Sequence, residues 1–152
     1  MRDDEAPSDR ERALTPRGQR DAASAGQHLA EAGLKPARIL VSGARRTRET
    51  YEALAESLTA PAELLDVLYM ASAKTIWNAA AACGSGAVMV IGHNPGVHEL
   101  ALALLEQSHD RSAAADAIRL SMPTSAYAAF SLSGSTREAA GPRLLGAWSP
   151  KY

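Results

Sequence analysis

One histidine stands at the end of the most apolar stretch of the chain. In "VMVIGHNPG", residues 88–96, a run of apolar, β-favouring residues leads into His93 and then into a turn. An imidazole titrates near neutrality, so it can carry positive charge or transfer a proton at that point. Backbone N–H groups at the start of a following helix attract anions. We therefore predict a functional histidine here, against the alternative that His93 only ties a turn to a neighbouring carbonyl.

Three arginines crowd the end of a second apolar run. In "SGARRTRET", residues 42–50, Arg45, Arg46 and Arg48 follow "ARILVSG" and open a helical pattern. At helical spacing the three guanidinium groups cannot all point in one direction. A guanidinium fork matches phosphate oxygens in bidentate fashion, so one that turns inward would suit a phosphate. The alternative is a solvated helix face, which we expect for Arg45 and Arg48.

Apolar periodicity indicates which elements position these side chains. Helices are predicted in "LTPRGQRDAASAGQHLAEAG", capped by Thr15 and ending near Gly33, and in "ARRTRETYEALAESL", "AKTIWNAAAACG" capped by Ser72, "PGVHELALALLEQ" and "AAADAIRLS". Buried strands are predicted in "ARILVSG" and "GAVMVIG", a short strand in "AELLDVLY" and two more in "SAYAAFSLSGSTREAAGPRLLGAW". This alternation predicts an α/β fold of three α/β/α layers with a mostly parallel sheet covered on both faces. Ligands bind beyond the carboxyl ends of such strands, which is where His93 stands.

Composition narrows the class of protein. The 152 residues suit a single domain, residues 1–152, in which we expect residues 1–13 to form a polar loop. A formal net charge of -1 makes no electrostatic case for nucleic acid, and no apolar run reaches the length of a membrane span. With no signal peptide evident, the plain expectation is a cytoplasmic protein. Cys83 is the single cysteine, and His93 and His98 are five residues apart rather than four, so we expect no metal and no other cofactor.

Four motifs in order resemble the histidine phosphatase superfamily, which has a phosphoglycerate mutase-like fold, and most closely its small SixA-type phosphohistidine phosphatases. The motifs "LTPRGQRDA", "ILVSGARRTRET", "VIGHNPG" and "MPTSAYAAFSL" occur in the family's order and approximate spacing over nearly the whole chain. Arg46 matches the arginine of S-P-x-x-R-x-x-x-T, with Gly43 in place of the proline, and His93 matches the second histidine, in [SG]-H-x-P. The resemblance implies that Arg46 and His93 are catalytic and that both, together with Asn94, bind phosphate without a metal.

The family's R-H pair, whose histidine attacks phosphorus, does not occur in these 152 residues. "MRDDEA" places Asp3 where the family's M-R-H-x-E-A has its histidine. Either the chain begins just beyond the pair, or aspartate replaces the histidine; we favour the first, because the family's loop from the histidine to "LTPRG" is usually longer. In the family the strand before the pair is central to the sheet. Without it, the neighbouring strands would close up, take a strand from another chain, or form a less regular sheet.

Three functions remain open from the sequence. The first is a phosphohistidine phosphatase-type hydrolase that acts on a phosphorylated protein through a phosphohistidine intermediate, inactive if its nucleophile is absent. A short chain leaves no room for a large cap over the site, which favours a phosphohistidine on a protein surface. The second is a non-catalytic member that binds phosphate or a phosphoprotein, and the third is a phosphomonoesterase for a small phosphate ester. The oligomeric state is not predicted.

Overall fold

Three parallel strands form the sheet that carries the two predicted site residues. The computed structural model describes residues 8–84, 86–132 and 141–151. Strand β1 (Arg38–Ser42) lies between β2 (Ala62–Leu65) and β3 (Val88–Ile91). Both neighbours run parallel to β1, so the carboxyl ends of all three strands lie at the same edge.

Two further strands and five helices complete the described structure. Strands β4 (Tyr127–Ser131) and β5 (Arg143–Trp148) form a separate antiparallel pair. The helices are α1 (Pro16–Glu31), α2 (Arg45–Leu54), α3 (Ala73–Ala81), α4 (Gly96–Ser108) and α5 (Ala113–Leu120), with short 3-10 turns at Asp9–Glu11 and Asp66–Leu68. None of the helices that the structure describes is both long enough and apolar enough to cross a lipid bilayer.

Side-chain caps begin three of the helices. Thr15, Ser72 and Ser112 each have extended backbone and accept a hydrogen bond from the backbone N–H three residues later, which satisfies one orphan donor of the helix start. Helix α1 ends just before Gly33, whose φ of +74° is a conformation that glycine adopts without steric cost. The predicted roles of Thr15, Ser72 and Gly33 are therefore confirmed.

The side chains of β1 alternate between two apolar clusters. Ile39 and Val41 pack with residues of α1 and α2, whereas Leu40 packs with Ile76 of α3 and, at the periphery, with α4. Successive residues of a strand point to opposite faces, so helices cover both faces of this sheet. A third cluster joins α4 and α5 to one face of β4 and β5. The predicted α/β class with mostly parallel strands is confirmed.

The described strands form two separate sheets, which agrees with the less regular sheet given above as one alternative. Among the described residues, β3 is hydrogen-bonded only to β1, and β4 only to β5, so the two groups of strands do not close up on each other. The prediction that "GAVMVIG" is buried on both faces is wrong, since three of the four β3 residues are only half-buried. A strand that lacks a partner along one edge leaves its side chains more open to solvent.

Some predictions fall partly or wholly on residues that the structure does not describe. Asp3 and the rest of residues 1–7 lie outside the described residues, as do residues 133–140 between β4 and β5. Of the polar loop predicted for residues 1–13, the described part contains the 3-10 turn Asp9–Glu11, none of whose residues is buried.

Candidate active site

The carboxyl ends of β1 and β3 bring Arg46 and His93 together. Ser42 is the last residue of β1, Arg46 lies in the first turn of α2, and His93 follows β3 by two residues. Because β1 and β3 are adjacent and parallel, both chain reversals lie at one edge of the sheet. The Nη2 atom of Arg46 is 3.4 Å from the Nδ1 atom of His93.

The His93 ring is held in one orientation by its two nitrogens. Its side chain is buried (7% exposed), with Nε2 2.7 Å from the Oγ atom of Ser42. A guanidinium only donates hydrogen bonds, so Nδ1 accepts from Arg46, and the ring proton lies on Nε2 and is donated to Ser42. The Tyr69 ring meets the imidazole edge-on, with 5.4 Å between the ring centroids. This packing fixes a neutral imidazole whose Nδ1 lone pair faces the guanidinium.

Burial lowers the pKa of His93 below its usual value, and the positive charge of Arg46 lowers it further. The carboxylate of Asp9 acts in the opposite direction as the smallest of the three effects. An uncharged imidazole is therefore the resting form near neutral pH. An anion bound against Arg46 would offset that positive charge and raise the pKa of His93 again.

The start of α2 is fastened to the end of β1, which sets the direction of Arg46. The buried hydroxyl of Thr47 donates to the carbonyl of Ser42 (2.8 Å), with the carbonyl of Ala44 at 2.9 Å. The Thr50 hydroxyl donates to the carbonyl of Arg46 (2.8 Å). These contacts explain why serine and threonine suit positions 42, 47 and 50 around an inward-facing arginine.

The other two arginines of this run differ from each other. Arg45 is exposed and pairs with Glu49 at 3.5 Å, as expected for a solvated helix face. The prediction that Arg48 lies in solvent is wrong: the residue is half-buried, and its Nε atom is buried without a hydrogen-bond partner among the described residues. The fold thus covers part of this side chain, where the sequence pattern indicates only charge.

Two residues that the sequence did not single out complete the surroundings of Arg46. The Oδ2 atom of Asp9 lies 3.1 Å from Arg46 Nη2, and the backbone carbonyl oxygen of Asp9 lies 2.7 Å from Arg46 Nη1. The Tyr69 hydroxyl donates to the same Asp9 carboxylate. A signal for Tyr69 was available, because it follows β2, whose carboxyl end lies at the same edge of the sheet. None was available for Asp9, which stands in a charged stretch without periodicity.

The side-chain amide of Asn94 forms hydrogen bonds outside this cluster. Its Nδ2 donates to the carbonyl of Met122 (2.8 Å), and its Oδ1 accepts from the backbone N–H of His98 (3.2 Å). Both ends of the amide are thus engaged in joining the start of α4 to the segment before β4. That Asn94 binds phosphate stays a prediction. The Nε2 atom of His98 lies 2.6 Å from the carbonyl oxygen of Ile118, a contact that joins α4 to α5.

The donors of the cluster suit an oxyanion. Arg46 offers guanidinium N–H groups, Tyr69 offers a hydroxyl, and His93 becomes a second donor when it is protonated. The part of the chain that the structure describes contains no group of three or more histidine, cysteine, aspartate or glutamate side chains placed to hold a metal ion.

Similarity to known proteins agrees with this geometry. A profile of the histidine phosphatase superfamily (branch 1) matches residues 6–69, which include Arg46 and Tyr69. A solved structure named as the phosphohistidine phosphatase SixA of Nakamurella multipartitia is 32% identical, with a TM-score of 0.78, over 97% of this chain and 90% of that one. The chain belongs to the histidine phosphatase superfamily.

Two further structures share the histidine phosphatase fold. A SixA protein from Agrobacterium tumefaciens is 24% identical, with a TM-score of 0.79, over 96% of this chain and 88% of that one. A protein histidine phosphatase SixA solved in complex with tungstate is 25% identical, with a TM-score of 0.70, over 97% and 90% of the two chains. No curated protein sequence matches the chain. These relatives support the SixA-type assignment within the superfamily.

Proposed function

We propose that this histidine phosphatase homologue is a phosphohistidine phosphatase-type hydrolase that binds the phosphoryl group at Arg46 and His93. The observation that carries the proposal is the 3.4 Å approach of the Arg46 guanidinium to the unprotonated nitrogen of His93 at the carboxyl ends of two parallel strands. Arg46 would hold the phosphoryl oxygens and spread their charge, and His93 would donate to them once the anion raises its pKa.

The protonation of the site favours a phosphohistidine substrate over a phosphate ester. Hydrolysis forms a P–O bond from water and breaks the bond from phosphorus to the leaving group, which must take up a proton. A phosphohistidine can take that proton from water on its free ring nitrogen and then leaves as a neutral imidazole, whereas an alkoxide leaving group needs a nearby acid. Asp9 has a lowered carboxyl pKa, so it is charged near neutral pH and cannot supply that proton to an alkoxide.

The attacking group decides whether these 152 residues turn over a substrate. The family resemblance implies a covalent route in which the histidine of an R-H pair attacks phosphorus, and that pair does not occur in these 152 residues. Without it, water must attack directly, and the route that divides the reaction into two easier steps is closed. We therefore expect these residues to bind phosphate with little or no turnover. A non-catalytic phosphoprotein-binding role is the second candidate.

Phosphate release tests the proposal. The 152-residue chain, its His93→Ala variant and a version preceded by a strand and an R-H pair are assayed on a phosphohistidine-bearing protein and on p-nitrophenyl phosphate. We expect release only from the extended version, and faster from the phosphohistidine protein. A faster reaction on the ester would favour the third function, a small-molecule phosphomonoesterase.

Two outcomes would contradict the account of the nucleophile. Robust turnover by the 152-residue chain that is lost in His93→Ala would mean that His93, or a group that depends on it, attacks phosphorus. An extended version that folds but remains inactive on both substrates would leave only the binding role.

A further inference from the structure

A short segment before α1 crosses the mouth of the site. We call residues 8–12, from Ser8 to Arg12, the strap. Arg46 donates to the strap twice, from Nη1 to the Asp9 carbonyl (2.7 Å) and from Nη2 to the Asp9 carboxylate (3.1 Å). The Tyr69 hydroxyl donates to the same carboxylate. The donors on which a phosphate would depend are therefore already engaged with an anion of this chain.

A second contact fastens the strap beside Asp9. Arg10 forms an ion pair with Asp66, and its guanidinium carbon lies 5.2 Å from the centre of the Tyr69 ring. The pair passes directly over Gly43, where an added Cβ atom would overlap the Asp66 carboxylate and lie 2.8 Å from Arg10 Nη2. The glycine that stands in place of the family's proline thus leaves the room that this ion pair occupies.

We propose that the strap is an autoinhibitory element, in which the Asp9 carboxylate occupies the position of a phosphate oxygen on Arg46 and Tyr69 and must be displaced before phosphate binds. The inference rests on the phosphate-binding function proposed above and adds Tyr69 to the phosphate ligands. It assigns one carboxylate and one phosphate to the same two donors, so that the site is either closed by Asp9 or filled by its ligand.

The strap is held by charge rather than by packing. Its 3-10 turn contains no buried residue, and the Asp9 side chain is 48% exposed. Exposed ion pairs contribute little to stability, so an incoming dianion can replace Asp9 without breaking a core. The hydrogen bond to Tyr69 lowers the pKa of the Asp9 carboxyl, with Arg46 as the next cause, while Asp9 raises the pKa of Tyr69. Near neutral pH the carboxylate is thus charged and the hydroxyl protonated.

Titration with inorganic phosphate at fixed ionic strength measures the competition. Asp9→Asn keeps the shape of the side chain but removes its charge, and it should bind phosphate roughly three- to tenfold more tightly than the unaltered chain. Asp116→Asn is the matched control, because Asp116 is an exposed aspartate that pairs with Arg119 of the same helix, α5, at 2.9 Å. This variant should not change the affinity for phosphate.

Two further variants separate the parts of the strap. Gly43→Ala leaves Arg46, Tyr69 and Asp9 in place but pushes the Arg10–Asp66 pair aside, and it should also tighten phosphate binding. Tyr69→Phe, made in the Asp9→Asn background, should weaken binding several-fold, because a hydroxyl released from Asp9 is then lost as a phosphate donor. Thermal unfolding of each variant checks that the fold is retained.

The results distinguish the strap from the site itself. Tighter binding by Asp9→Asn that disappears when Arg46→Ala is added supports the strap. Equal affinities of Asp9→Asn and the unaltered chain, both dependent on Arg46, would overturn the strap and leave the phosphate site standing. If no variant binds phosphate in a manner that depends on Arg46, the proposed function is overturned, and the strap with it.

Discussion

Replacing Arg46 with alanine should weaken phosphate binding about tenfold, which corresponds to about 1.4 kcal/mol. Arg46 is the arginine that lies both at the end of β1 and within 3.4 Å of the His93 ring. Arg45 instead pairs with Glu49 on the exposed side of α2. Removing the guanidinium of Arg46 takes away donors that face the proposed ligand, whereas removing that of Arg45 does not.

The magnitude follows from what Arg46 gains and what it gives up. A hydrogen bond to a charged partner contributes about 1.5–3 kcal/mol. The side chain is 28% exposed, and phosphate must replace its two contacts with Asp9, so the net contribution falls just below that range. In the Asp9→Asn background, phosphate displaces weaker contacts from Arg46. The same Arg46→Ala change should therefore reduce the affinity for phosphate by more than it does in the unaltered chain.

Isothermal titration with inorganic phosphate measures all three arginine variants under the same buffer and salt. Arg45→Ala should bind as the unaltered chain does, because an exposed pair contributes less than about 1 kcal/mol and lies away from the ligand. Arg48→Ala should also retain its affinity, but it can change the unfolding temperature, because its Nε atom is buried. Equal losses of affinity for all three variants would refute the reasoning, since binding would then reflect general positive charge on α2.

Two other predictions concern stability. The pKa of His93 is lower in the folded protein than in the unfolded chain, so the unfolded chain takes up a proton at this residue first as the pH falls. The contribution of His93 to the free energy of unfolding is therefore complete above about pH 6.5 and is lost as the pH falls towards the folded pKa. Denaturant unfolding between about pH 5 and 7 measures how the free energy of unfolding depends on pH. This dependence should be less steep in His93→Gln than in the unaltered chain, by at most about 1.4 kcal/mol per pH unit. An unchanged slope would show that the ring is not desolvated. Gly96→Ala should lower the free energy of unfolding by about 1–3 kcal/mol, because the new methyl overlaps the backbone carbonyl of Ala71 and that carbonyl cannot rotate aside as a side chain would. Gly92→Ala is the matched comparison, since its methyl would meet only a side-chain carbon of Val97 at 3.3 Å, and equal losses in the two variants would contradict this account.

The order of strands and helices could be read from local patterns, and with it the location of the site. Apolar runs that end at Ser42 and just before His93 predict two strands, and the helices that follow make these strands parallel. Side chains just beyond the carboxyl ends of adjacent parallel strands lie close together whatever the rest of the fold does. This is why Arg46 and His93 could be paired before any coordinates, although they are 47 residues apart in the chain.

Burial was less predictable, because it depends on neighbours that a local window does not contain. The sequence "GAVMVIG" is apolar enough for a strand covered on both faces, yet β3 has only β1 beside it among the described strands. Arg48 shows the converse, since a charged residue in a charged run has its Nε atom covered by packing. Periodicity reports which residues tolerate burial, and the assembly of the elements decides which residues become buried.

The contacts of Asp9 came from the tertiary structure alone. Asp9 meets Arg46 across 37 positions of the chain and Tyr69 across 60, and no repeat or spacing connects such distant residues. Gly43 is informative only once Asp66 and Arg10 are known to lie over it. Short-range patterns encode the direction of the backbone, whereas charge pairs between loops form only after the sheet has brought the strand ends together. Arg46 and His93 were therefore identified from the sequence, whereas Tyr69 and the Asp9 carboxylate that it shares with Arg46 were not.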